Sequence, residues 1–317
     1  MRRWLTALLA LAWSPAVADA PTIRMAALSY GTVNWELETI RRLGLDEERG
    51  FALEVLPVAS GNAAKIAVRG GAADAFVGDW IWVARQRAEG QDYVLVPYSV
   101  AVGGIAVPKD RGIEALADLK GMRIGIAGGP LDKGWLILRA LAEREGFDLA
   151  AETEQVFGAP PLLARKAVAG ELDAVINYWH WLARIERDGW RVAVPVGEAA
   201  EKLGLDPTIP LLGYVFDGAF ARENPELMRA FKNAVEEAKA TLVSDDAAWE
   251  PLRPLAKGED DALFVALREG WREGAPPDMS VDVGAVRDFL AVMARLGGEA
   301  LVGRATELPD GVFHFDR

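Results

Sequence analysis

The sequence predicts an α/β protein built as two similar units, and three observations carry that prediction. Short apolar runs of strand length alternate with helical apolar spacing between residues 22 and 89. The alternation restarts as if from a first strand at Met122–Ala127. Most runs end in a glycine, polar or aromatic tip before the next helix begins. Strands alternating with helices argue for a parallel sheet wound by right-handed crossovers.

In order, Pro21–Leu28 reads as a strand ending at Ser29-Tyr30-Gly31, followed by a helix with Trp35, Leu37, Ile40 and Leu43 on one side. Ala52–Val58 is a second strand, a helix runs from about Ala63 to Arg69, and Ala75-Phe76-Val77 is a third strand stopping at Gly78-Asp79-Trp80. Ile81–Glu89 is helical, and Tyr93–Val100 and Gly104–Lys109 are two further β-rich runs. The second unit has strands at Met122–Ala127, Glu152–Phe157 and Ala174–Ile176, with helices through Leu136–Ala142 and Leu162–Val168 between them. Leu211–Asp217 is a strand that carries the chain back to the first unit. Beyond it the pattern is helical: Asn224-Pro225-Glu226 opens one helix, Val286–Leu296 marks another, and Glu307–Arg317 has no assigned pattern.

Leu116–Trp135 organises the middle of the chain. A turn at Asp118–Gly121 leads into the strand Met122–Ala127, Gly128-Gly129-Pro130 breaks it, and a helix follows. Glycines let a backbone approach a guest, and a helix N-terminus beyond a strand presents free N–H groups at the edge where open sheets bind ligands.

Composition sets the address. Met1-Arg2-Arg3, the apolar Trp4–Trp13 and Ala16-Val17-Ala18 form a signal peptide, with the cut expected after Ala18. The chain has no cysteine, which excludes disulfides and thiolate chemistry, and only two histidines, which excludes an ordinary zinc site. A formal charge of −12 with no basic patch excludes nucleic acid as a partner.

Three segments fall in a telling order: Gly70-Gly71-Ala72-Ala73-Asp74-Ala75-Phe76-Val77-Gly78-Asp79, then Leu116–Gly125, then Gly170-Glu171-Leu172-Asp173-Ala174-Val175. With the signal peptide ahead of them, the stretch from Thr22 to Leu242 resembles the periplasmic solute-binding proteins of ABC importers, in the group of sulfonate, taurine, nitrate and thiamine-pyrimidine binders. The resemblance implies a type II periplasmic-binding-protein fold: two α/β lobes joined by two crossing strands, with the ligand cleft between them. The restarted strand count after Gly104 and the returning strand at Leu211–Asp217 place lobe I at 21–104 plus 213–317 and lobe II at 105–212, behind the signal peptide at 1–18. The resemblance also implies a monomer in the periplasm that needs no cofactor, captures a small molecule and delivers it to an ABC permease in the inner membrane. No phosphate-binding G-x-x-x-x-G-K-[ST] loop is present, so the ATPase is another chain. An enzyme acting on a small heterocycle or carboxylate is the alternative, since fold does not fix function. Sulfonate binders of the group carry hydroxyl residues after the strand at Gly128; here stand Asp132, Lys133 and Trp135.

The candidate ligand-binding residues sit at or just beyond strand ends: Tyr30, Asn34, Trp35, Asn62, Asp79, Trp80, Ser99, Gly129, Asp132, Lys133, Trp135, Asn177, Tyr178, Trp179 and Tyr214. Trp82 and Trp181 share the pattern, and His180 lies in the same aromatic cluster. Aromatic walls suit a planar heterocycle or an organic cation. Asp79 and Asp132 suit amino groups, and equally suit helix N-caps. The expected ligand is therefore compact, partly planar, and nitrogen-containing or zwitterionic.

Overall fold

The computed structural model describes residues 20–276 and 278–314, so the expected signal peptide at 1–18 lies outside the described residues. The chain runs through β1 (Thr22–Leu28), β2 (Ala52–Val58), β3 (Ala75–Asp79) and β4 (Tyr93–Ser99). It continues through β5 (Gly104–Pro108), β6 (Arg123–Ala127), β7 (Glu154–Gly158), β8 (Ala174–Asn177) and β9 (Trp190–Pro195), and returns in β10 (Leu212–Asp217). Sheet one has the order β2-β1-β3-β10-β4, and sheet two β7-β6-β8-β5-β9.

The two orders are equivalent. In each sheet three parallel strands meet a strand that has just arrived from the other sheet: β10 between β3 and β4, and β5 between β8 and β9. Both arriving strands run antiparallel to their neighbours, so the sheets are mixed rather than parallel throughout. The parallel expectation holds for β1 with β2 and β3, and for β6 with β7 and β8, where helical crossovers impose it. A strand that crosses directly from another sheet carries no such constraint. β9 was not foreseen, although Trp190, Val192 and Val194 alternate as a strand's inward face would.

Helices cover both faces of each sheet. They are α1 (Val33–Leu43), α2 (Gly61–Arg69), α3 (Trp80–Ala88), α4 (Lys133–Arg144), α5 (Pro160–Val168), α6 (Trp179–Glu186) and α7 (Val196–Lys202). After β10 come α8 (Gly218–Glu223), α9 (Pro225–Ser244), α10 (Arg253–Ala256), α11 (Asp261–Glu273) and α12 (Val283–Val302). In β1 the pleat sends Ile23, Met25 and Ala27 to one core and Ala26 to another, as two covered faces require. β4 is buried along its whole length.

Two apolar bridges span the sheets. α12 packs on α3 beside sheet one and on α4 beside sheet two, joining Trp80, Leu138, Phe289 and Leu290 in one core. On another side α11 packs against α6, and Trp179 and Ala183 join a cluster built on Trp35, Trp249 and Trp271. The tail left unassigned by sequence also has a place. Phe313 bridges Leu95 in parallel, and the Leu95 amide donates to the Val312 carbonyl at 2.8 Å, which covers the open edge of β4.

The first crossing between sheets, residues 100–103, leaves no room for a side chain at its end. A Cβ on Gly103 would stand 1.7 Å from the Asn177 carbonyl oxygen, a backbone atom that cannot swing aside. Gly103→Ala is expected to cost about 1–3 kcal/mol through this overpacking, read as a lower urea midpoint. An unchanged midpoint would show that the crossing shifts freely.

Candidate functional site

The carboxyl ends of strands from both sheets converge on one cavity of about 270 Å³. Sheet one contributes Leu28 and Tyr30–Val33 at the end of β1, Val77 and Asp79 from β3, and Tyr98 and Ser99 from β4. Sheet two contributes Ala127, Asp132–Gly134 at the start of α4, Ile176–His180 at the junction of β8 and α6, and Val196. Both crossings pass through the wall, at Ala101–Gly104 and at Leu211–Leu212.

An ion pair joins the two halves across the cleft. The Lys133 Nζ donates to Asp79 Oδ2 at 2.9 Å, with side chains 24% and 17% exposed. Asp79 also accepts the Trp82 amide on Oδ1 at 2.9 Å and so caps α3. Burial alone would raise the Asp79 carboxyl, but the Lys133 ammonium and that amide hold it below its ordinary 3.8. Burial works against the Lys133 charge too, and Asp79 overrides it, leaving Lys133 above its ordinary 10.5.

Asp132 is the less compensated carboxylate. Its Oδ1 accepts the Trp135 amide at 3.0 Å and caps α4, yet burial raises its pKa despite that bond and the neighbouring Lys133. Opposite Oδ2 lies Gly128, with φ at +87°. A Cβ there would stand 2.8 Å from Asp132 Oδ2 and 3.1 Å from the Tyr178 hydroxyl, so the glycine holds the space that the two polar groups share. Burial, and then the Asp132 charge, push the Tyr178 hydroxyl well above its ordinary value, which keeps it a neutral donor.

Ser99 and Asn177 reach the wall with their side chains already engaged. Ser99 Oγ donates to the Gly274 carbonyl at 3.1 Å and accepts the Ala101 amide. Asn177 Nδ2 donates to the Pro160 carbonyl at 2.9 Å, while its Oδ1 accepts the Tyr178 amide. His180 is different: it is 7% exposed and neither ring nitrogen has a partner. Burial, helped by the Arg184 charge, lowers its imidazole to about 3.

Of the residues singled out by sequence, Tyr30, Asp79, Ser99, Asp132, Lys133, Asn177, Tyr178 and Trp179 line the cavity. Asn34, Trp35, Asn62, Trp80, Gly129, Trp135 and Tyr214 do not. Trp80 is buried against Phe289 and Phe313, with ring centroids 5.7 and 6.3 Å away. Trp135 is buried, with the Arg139 guanidinium 6.0 Å from its ring. Trp35 stands behind Trp179, edge to face at 6.0 Å. Tyr214 donates to the buried Glu36. Asn34 Nδ2 closes the β1–α1 turn on the Leu28 and Gly31 carbonyls. Asn62 is exposed in the first turn of α2, and Gly129 shapes the turn into α4 at φ +91°. Trp82 packs on Phe76 and Tyr93, away from the wall.

Tyr98 and Thr32 line the cavity and were missed; each is one residue from a strand or helix end, where the tip-of-strand rule is too coarse to separate neighbours. Beneath Tyr98 lies a buried polar layer. Lys239 pairs with Glu36, and its ammonium sits 4.4 Å from the Tyr98 ring centroid and 5.7 Å from that of Trp271. Burial raises Glu36 and lowers Lys239, and each charge partly restores the other.

Removing Lys133 would leave Asp79 without its cation in a largely dry site. With both side chains partly exposed, Lys133→Met is expected to cost about 2 kcal/mol. Asp79's depressed pKa contributes stability that is present above 3.8 and lost as pH falls through the lower folded value. Lys133's raised pKa contributes stability present below 10.5 and lost as pH rises past the folded value. Urea unfolding of wild type and variant should therefore differ at neutral pH and converge under strong acid. Equal stability at neutral pH would show that the pair contributes nothing.

Among solved structures, the alkanesulfonate-binding protein SsuA of Xanthomonas axonopodis pv. citri, bound to MOPS, matches 94% of this chain and 99% of its own at a TM-score of 0.70 and 18% identity. The periplasmic aliphatic sulphonate binding protein SsuA of Escherichia coli matches 91% and 97%, at 0.71 and 17% identity. The periplasmic nitrate-binding protein NrtA of Synechocystis PCC 6803 matches 93% and 86%, at 0.69 and 15% identity. These likenesses establish the type II periplasmic-binding-protein fold, two α/β lobes around a cleft. No curated protein matches the chain. The family described as NMT1/THI5 like matches residues 41–247, which takes in nine of the ten strands of the two sheets, β2 to β10, and both crossings. The chain belongs to the NMT1/THI5-like family.

Proposed function

We propose that this protein is the extracytoplasmic solute-binding component of an ABC import system. It captures a small organic molecule between lobe I, 21–104 plus 213–317, and lobe II, 105–212, and delivers it to a permease of the inner membrane. The observation that carries this is the cavity at the strand ends of both sheets, closed over by an ion pair with one partner on each side. The same fold serves periplasmic binding proteins in the structures it resembles. Binding without catalysis is supported by the chemistry of the wall. Its imidazole has no hydrogen-bonded carboxylate to orient it, and Asp79 is occupied by Lys133.

The cavity lies near the lower end of the roughly 300–1,000 Å³ usual for small-molecule sites. That fits one compact molecule. Tyr30, Tyr98, Tyr178 and Trp179 supply aromatic surface, while two carboxylates face a single ammonium that is already paired. A full anion would meet the surplus Asp132 charge, opposed by roughly a kilocalorie per mole or more. An N–H donor or a cation would instead offset the cost that burial imposes on the Asp132 carboxylate. The ligand proposed is therefore planar and nitrogen-containing, or a zwitterion whose acidic end meets the helix N-termini of α1 or α6.

Calorimetric titration with a thiamine-type aminopyrimidine, a zwitterionic quaternary amine and an alkyl sulfonate tests this. Binding of one of the first two is expected, weakened about tenfold by Trp179→Ala. Tight binding of the sulfonate alone, unchanged by Trp179→Ala, would overturn the aromatic-wall reading. Small-angle scattering should show a smaller radius of gyration on saturation, as lobe closure requires.

A further inference from the structure

His180 is a buried polar side chain in the cavity wall with nothing to bind. β8 ends at Asn177 and α6 begins at Trp179, so His180 is the second residue of the helix. Its ring lies among Tyr178, Trp179 and Trp181, with centroids 6.3, 5.6 and 5.7 Å away. A phenylalanine would suit that aromatic nest without leaving two ring nitrogens unpaired. A buried polar group without a partner costs free energy comparable to a lost hydrogen bond, and of the buried unpaired side-chain atoms among the described residues, those of His180 alone belong to a residue of the cavity wall. The neighbouring Asn177 and Ser99 show the ordinary arrangement, with each side chain satisfied by backbone groups.

The first turn of α6 points to the same place. The Trp179 and His180 amides precede the first intrahelical bonds, which begin with Trp181 and Leu182 donating to the Tyr178 carbonyl. They carry the positive end of the helix dipole, and both residues line the cavity. A neutral imidazole adds one N–H that the ligand can direct by fixing the tautomer.

We propose that His180 and the first turn of α6 form the subsite that receives a hydrogen-bond acceptor of the ligand, a ring nitrogen or a carbonyl oxygen. This rests on the cavity being the ligand site. The subsite orients the ligand as well as holding it: the acceptor lies at α6, and the N–H donor lies toward Asp132. His180 is then a specificity residue, and its unpaired state without ligand is repaid on binding.

The test compares His180→Phe and His180→Asn with wild type, by thermal unfolding without ligand and by calorimetry with the thiamine-type aminopyrimidine and the zwitterionic quaternary amine. His180→Phe is expected to unfold at the same or a higher temperature, yet to bind at least tenfold more weakly. His180→Asn, which keeps an amide donor, is expected to recover part of the affinity. Unchanged affinity in His180→Phe would overturn the proposal. So would a Phe variant several degrees less stable than wild type without ligand, since the imidazole would then have a structural partner. If wild type binds neither probe, the ligand class proposed above fails separately. The unfolding temperatures then decide the role of His180: a stable Phe variant supports a group kept for binding, and a destabilised one overturns it.

Discussion

A carboxylate withdrawn from water must find a cation, and Asp79 finds its cation in the other half of the molecule. On its own side the Trp82 amide at the start of α3 caps one oxygen and Lys65 of α2 lowers the carboxyl through its charge, which leaves the second oxygen unpaired. Lys133 supplies the charge from the start of α4. Neither group would be so dry if the sheets stood apart, so the ion pair and the closed cleft depend on each other. The arrangement also decides what remains for a guest. Because the cleft carries its own neutralised pair, a ligand need not bring a charge to close it, and recognition falls to shape, aromatic surface and a few hydrogen bonds.

The two walls of that cleft are held by different kinds of contact. Under Tyr98 the pair of Glu36 and Lys239 ties α1 to α9, with Tyr214 of β10 donating to the same carboxylate. The Trp271 indole donates to the Tyr98 hydroxyl at 3.3 Å and adds α11 to the layer. A buried polar network with its members satisfied resists repacking, because each displacement exposes several charges at once. Across the cleft, Trp179 belongs to sheet two but rests on helices of the first lobe, edge to face with Trp35. That contact is apolar, but beside it Arg184 of α6 donates to the Ala256 and Lys257 carbonyls and Arg187 pairs with Glu259 and Asp260, so charged groups also join the lobes on this side.

Much of this fold is legible in the sequence. The strands at 22–28, 52–58 and 212–217 declare themselves by apolar runs bounded with glycine and polar tips. Strand direction is not legible in the same way: β5 and β10 run against their neighbours because of where they come from, and no local pattern encodes that. The cleft shows the same boundary. Asp79, Asp132 and Tyr178 are where the strand ends put them, whereas Trp80 and Trp135, one and three positions later, have turned into the core. A helix rotates each successive side chain by about 100°, so the rule that finds a strand end cannot say which residue after it faces the cavity. His180 was visible as a residue but not as an unpaired one, since pairing depends on neighbours that only folding assembles.

The interleaving of the two sheets also sets an order of assembly. Sheet two draws all its strands from residues 104–195, so every hydrogen-bonding partner is present once that stretch has been made. Sheet one has no such autonomy. β4 pairs with β10 and with the tail at Phe313, so its two sides wait for residues more than a hundred positions later. While the chain is still emerging, the buried β4 has no ladder to join, and the first sheet stays open at its centre. The half of the molecule that is made first is thus the half that is finished last.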